Sequence, residues 1–67
     1  MTKGPCLRVR LIRPNGKITL TEAFTTREEA EARFQRLADA CTKDRWLGAT
    51  VQCLNNVGEI VHERIIV

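Results

Sequence analysis

Hydrophobic and polar residues alternate one by one towards both ends of this chain and recur every three to four residues in its middle. From Cys6 to Arg13, Leu7, Val9 and Leu11 alternate with Arg8, Arg10 and Ile12, the period-two pattern of a strand with one covered face. Pro14-Asn15-Gly16-Lys17 follows, and Asn-Gly suits the two positive-φ positions of a type I′ turn. A two-residue turn there sets Leu11 opposite Leu20, Val9 opposite Glu22 and Leu7 opposite Phe24. One face of this hairpin is then largely apolar, and the other carries Arg8, Arg10 and Ile12 beside Thr19, Thr21 and Ala23.

The period changes at Thr26-Arg27-Glu28-Glu29, a capping box in which the Thr hydroxyl and a Glu carboxylate satisfy amides that the first helical turn leaves free. Ala30, Phe34, Leu37, Ala38 and Cys41 then form a single apolar stripe, which predicts a helix to about residue 43. Glu29/Arg33 and Asp39/Lys43 stand at i,i+4 and mark the opposite side as a solvated back. Trp46 is expected to close one end of the core, and Gly48 leads the chain back into strand. A second hairpin is predicted from Ala49–Leu54 and Glu59–Val67 around Asn56-Val57-Gly58, with Gly58 in the left-handed position. That loop places Cys53 opposite Val61, Val51 opposite Glu63 and Ala49 opposite Ile65. The reverse face then holds Thr50, Gln52 and Leu54 beside Ile60, His62, Arg64 and Ile66.

Two hairpins flanking one amphipathic helix predict an α+β fold: ββαββ, a four-stranded antiparallel sheet with one helix packed on one face. Residues 1–5 read as a flexible leader and 6–67 as a single domain. Glu22 and Glu63 share the parity of the covered face and are expected beyond the helix footprint.

Composition narrows the chemistry. The three cysteines, Cys6, Cys41 and Cys53, are odd in number and widely spaced, with no CxxC and no Cys/His pair at ligand spacing, so neither a disulfide framework nor a metal site is expected. Reduced thiols, Cys41 and Cys53 in the core, and the lack of an apolar run of roughly 20 residues point to a cytoplasmic protein that does not enter the membrane. The chain has no Ser and no Tyr, and His62 is its only histidine. A Cys6/His62 dyad is the remaining nucleophilic arrangement, and it lacks an orienting group. The four glycines are isolated and form no phosphate-cradling loop. No catalytic site, cofactor or small-molecule substrate is therefore expected.

The charge excess is modest, eleven Lys and Arg against eight Asp and Glu, but the two registers segregate it. The uncovered sheet face collects Arg8, Arg10, Lys17, Thr19, Thr21, Gln52, His62 and Arg64 as candidate partner-binding residues and excludes every acid. The plainer reading is that these are ordinary solvent-side strand residues whose charge discourages edge pairing. Ile12, Leu54, Ile60 and Ile66 make the face more apolar than solvation requires, which favours a protein contact: a homodimer, or a larger acidic partner that this chain regulates or inhibits. The second reading is a nucleic-acid module in which the same Arg/Lys face binds a duplex backbone. Without an aromatic residue the face offers no platform for single-stranded bases. No family motif is matched residue by residue; the ββαββ rhythm resembles that of many small bacterial and phage domains, inhibitors and regulators among them, in architecture alone.

Overall fold

A computed structural model describes residues 4–67; residues 1–3, the first part of the leader expected at 1–5, lie outside the described residues. The elements are β1 (Arg8–Ile12), β2 (Ile18–Ala23), α1 (Arg27–Lys43), β3 (Thr50–Leu54) and β4 (Ile60–Ile65). All four strands form one antiparallel sheet in the order β2-β1-β3-β4, so the two hairpins join through their first strands. The fold is the α+β, ββαββ arrangement that the periodicity predicts.

In the first hairpin Leu11 faces Leu20 and Val9 faces Glu22, and the Phe24 amide donates to the Leu7 carbonyl, all as expected. The turn differs from the expected two-residue type I′. Gly16 has φ +87° but Asn15 does not have a positive φ, and Arg13 N–H donates to Lys17 O at 2.9 Å, closing a three-residue loop of Pro14, Asn15 and Gly16. Pro14 is the physical reason, since its fixed φ suits the first central position of a type I turn, which a left-handed glycine then completes. A β-bulge at Thr19 absorbs the extra residue, so Ile12 faces Ile18 while Leu11 keeps Leu20.

The second hairpin has the expected loop, with Gly58 at φ +88° and Leu54 facing Ile60. Asn55 braces it: Oδ1 accepts from the amides of Val57 at 3.1 Å and Glu59 at 2.8 Å. Beyond Leu54 the expected register fails. Val61 is bulged, and Cys53 faces His62, Gln52 faces Glu63, Val51 faces Arg64 and Thr50 faces Ile65. Because side chains alternate with period two, this one-residue slip carries His62, Arg64 and Ile66 to the helix side and Glu63 and Ile65 to the open face. Ile66, 2 % exposed, joins the core beside Ala49, whose carbonyl accepts its amide at 2.8 Å. The shifted register also gives the buried Gln52 amide a partner in Glu63, which the expected one would not.

Helix α1 starts at Thr26, whose hydroxyl accepts from Glu29 N–H at 3.3 Å, and it packs against β3 and β1. Ala30, Leu37, Ala38 and Cys41 are buried along the expected stripe, with Phe34 packed beside them. Arg33, expected to pair with Glu29, instead reaches the sheet and donates to Glu22 Oε1 at 2.7 Å. Glu22 thereby sits at the flank of the helix footprint, half-buried and paired. The helix closes with two reverse hydrogen bonds, Arg45 N–H to Thr42 O at 3.2 Å and Trp46 N–H to Cys41 O at 2.9 Å. This closure needs a left-handed residue after the cap and usually takes Gly. Here it is Arg45, at φ 57°, a conformation that disfavours a side chain by about 1 kcal/mol. Trp46 packs on the end of the core, as expected of it.

The cysteines require a correction. Cys6 and Cys53, 47 residues apart with Cα atoms 5.6 Å from each other, form a disulfide, and Cys41 is a buried free thiol. Regular strand begins only at Arg8, so Cys6 is released from the alternation that assigned it to the open face and is wholly buried among core residues. In chain-entropy terms, closing a loop of this length restrains the unfolded chain by about 4 kcal/mol. Alkylation and mass spectrometry check the assignment: protein unfolded without reductant should take up one alkyl group, at Cys41, and three after reduction. In the folded protein Cys41 should label slowly, because burial first, and then the charge of Asp44, push its thiol above the ordinary range.

Candidate functional site

The face of the sheet away from α1 is laid out by strand pairing as three cross-strand rows. Thr21, Arg10, Gln52 and Glu63 form the middle row; Ile18, Ile12, Thr50 and Ile65 lie on one side of it, and Ala23, Arg8, Leu54 and Ile60 on the other. Two partly apolar rows therefore flank a polar stripe.

The stripe is hydrogen-bonded across three strands. Arg10 donates from Nε to Gln52 Oε1 at 2.9 Å and also from Nη2 to the same oxygen, and Gln52 Nε2 donates to Glu63 Oε2 at 2.7 Å. Gln52 is 7 % exposed, so its amide acts as a bridge between a cation and an anion that stand two strands apart. Both ends of the bridge are charged, which strengthens each bond over a neutral one. The flanking rows keep large aliphatic side chains in solvent: Ile18 is 50 % exposed, Ile65 56 % and Ile60 37 %.

Of the residues singled out from sequence, Arg8, Arg10, Thr21 and Gln52 share this face. Thr19 stands at the β2 bulge, and Lys17 closes the hairpin loop, where its amide donates to Asn15 Oδ1 at 2.9 Å. His62 and Arg64 do not belong to the face. His62 lies on the helix side, its ring centroid 6.2 Å from that of Phe34 and its Nε2 3.9 Å from Glu31 Oε1. The face is therefore not free of acid: it carries two arginines and Glu63. Cys6, the thiol considered beside His62, is bonded to Cys53. Among the described residues no group of three or more His, Cys, Asp or Glu is placed to hold a metal ion, and no helix is long and apolar enough to cross a membrane.

Sequence reasoning missed Glu63, Ile18 and Ile65 on this face. One signal was present: the apolar doublets Ile60-Val61 and Ile65-Ile66 bracket the polar His62-Glu63-Arg64, and no single alternation accommodates both doublets. A bulge resolves them.

Gln52→Ala strands the Arg10 guanidinium and the Glu63 carboxylate, and should lower stability to urea by about 1–2 kcal/mol. In a double-mutant cycle with Glu63→Ala the two losses should couple by about 0.5 kcal/mol or more, whereas strict additivity would mean that the bridge is not formed in solution. No protein-family model matches this chain, and neither the curated proteins nor the solved structures contain a match to it.

Proposed function

We propose that this chain is a non-catalytic protein-interaction domain whose open sheet face is covered by another protein surface, in the first place by a second copy of itself. The observation that carries the reading is the pair of rows that expose Ile18 and Ile65 on one side and Ile60 on the other, with a hydrogen-bonded polar stripe between them. Solvent-facing aliphatics grouped around satisfied polar atoms are what the centre of a protein interface presents. Glu63 shifts the preferred partner. A face carrying Arg8, Arg10 and Glu63 holds both signs of charge, so a second copy meets it with carboxylate opposite guanidinium, and an isologous contact uses the same patch twice.

The nucleic-acid reading loses ground on the same observations. Glu63 enters the face, Arg64 leaves it, and exposed isoleucines have nothing to offer a phosphate backbone. A regulator or inhibitor of a larger protein remains within the proposal, as a domain using this face on a partner of mixed charge. The Cys6–Cys53 bond weighs against the expected cytoplasmic location with reduced thiols, since such cross-links persist mainly in oxidising compartments.

Sedimentation over a concentration series tests the proposal. The wild-type chain should pass from monomer to dimer at micromolar to millimolar concentration, and Ile18→Lys with Ile65→Lys, two exposed changes that leave the core intact, should hold it monomeric with an unchanged circular dichroism spectrum. A wild-type protein still monomeric at millimolar concentration would overturn self-association.

A further inference from the structure

The helix end and the first hairpin loop meet at a second surface feature, separate from the open face. The reverse turn after α1 throws Trp46 back over the core and leaves Leu47 61 % exposed. From the β1–β2 loop, Arg13 and Pro14 come up against it. The Arg13 guanidinium carbon lies 5.5 Å from the centroid of the Trp46 ring, and Gly48 permits the approach of Pro14, because a Cβ at position 48 would come within 3.2 Å of the proline ring. The result is a shallow recess lined by Arg13, Pro14, Arg45, Trp46 and Leu47.

Three properties of this recess point to a ligand. Its lining pairs two cations with three apolar residues and includes no carboxylate. Among the described residues the ion pairs of arginine fall to Arg27 and Arg33, and neither Arg13 nor Arg45 takes part in one. Arg45 is also the one non-glycine described residue at positive φ, in a position where glycine would serve the turn better, and strain of this kind collects at binding and functional sites.

We propose that the recess binds an acidic segment of another protein in which a carboxylate side chain stands next to an aliphatic one. The Arg13 guanidinium stands over the indole at cation–π distance, and its N–H groups, which enter no ion pair, can make bidentate contact with the carboxylate. Arg45 supplies a second charge, and Leu47 with Pro14 receives the aliphatic neighbour. A nucleic acid fits less well. Arg13 covers the indole and the ring packs on the core, which leaves it poorly placed to stack a base.

Trp46 is the chain's only tryptophan, so its fluorescence reports on this site directly. The full chain is titrated with a blocked Glu-Leu-Asp-Leu-Glu peptide, with its Gln/Asn counterpart, and with single-stranded oligothymidylate. The acidic peptide should give a saturable change, and the neutral one should bind at least tenfold more weakly. Arg13→Gln and Arg45→Gly should each weaken acidic-peptide binding by about fivefold or more, while Arg45→Gly raises the thermal midpoint by relieving the turn, which separates lost binding from lost folding. Equal affinity for the neutral peptide, no saturation at millimolar acidic peptide, tighter binding of the oligonucleotide, or an Arg45→Gly variant that binds as wild type would each overturn the proposal.

Discussion

Seventeen residues of helix have to cover a sheet four strands wide. A helix with its side chains is about 10 Å across, whereas four strands about 4.8 Å apart span roughly 14 Å between their outer axes. The helix is consequently placed chiefly over β3 and β1 and reaches the outer strands only at its flanks, through Arg33 to Glu22 and Phe34 to His62. Their inward residues Val9, Leu11, Val51 and Cys53 are fully or almost fully buried. On the outer strands the corresponding positions hold Leu20, which packs on the edge of the core, and Glu22, His62 and Arg64, which are polar because water reaches them. No helix covers the far face of the sheet.

Much of what surrounds that small core follows from its size. Ala30, Ala38 and Ala49 let helix and sheet approach closely but bury little area each, so apolar contact alone gives a thin margin. Covalent and polar restraints supplement that contact, inside the core and outside it. The Cys6–Cys53 bond ties the segment before β1 to the central strand β3. Arg33 reaches from the helix to Glu22 on the edge strand β2, and the Arg10–Gln52–Glu63 bridge crosses β1, β3 and β4 on the open side. Small domains commonly supplement a modest core in this way.

The two candidate binding surfaces also differ in kind. The open face is broad and of mixed charge, with Arg10, Gln52 and Glu63 already bonded to one another, so what it offers a partner is chiefly aliphatic area. The recess at the helix end is narrow and presents cations that the fold leaves without carboxylates. Arg13 follows directly on Ile12, so the recess adjoins the row of the open face that holds Ile12, Ile18 and Ile65.

The sequence by itself determined the elements, because each rests on local signals: the two alternating segments, the Thr26 cap, the apolar stripe from Ala30 to Cys41 and the glycines at 16 and 58. It determined most of the candidate face as well, since Arg8, Arg10, Ile12, Thr21, Ala23, Thr50, Gln52, Leu54 and Ile60 were expected there and lie there. The rest was decided by tertiary structure. One bulged residue, Val61, exchanges the two sides of β4, and whether a strand bulges depends on which register satisfies its neighbours, here Gln52 on β3 and the core site filled by Ile66. The disulfide was hidden for the same physical reason: Cys6 and Cys53 are 47 residues apart, and only the pairing of β1 with β3 brings them together. Likewise, no local pattern sets Arg13 over Trp46, because their contact requires the first hairpin loop and the helix end to arrive at one end of the same sheet.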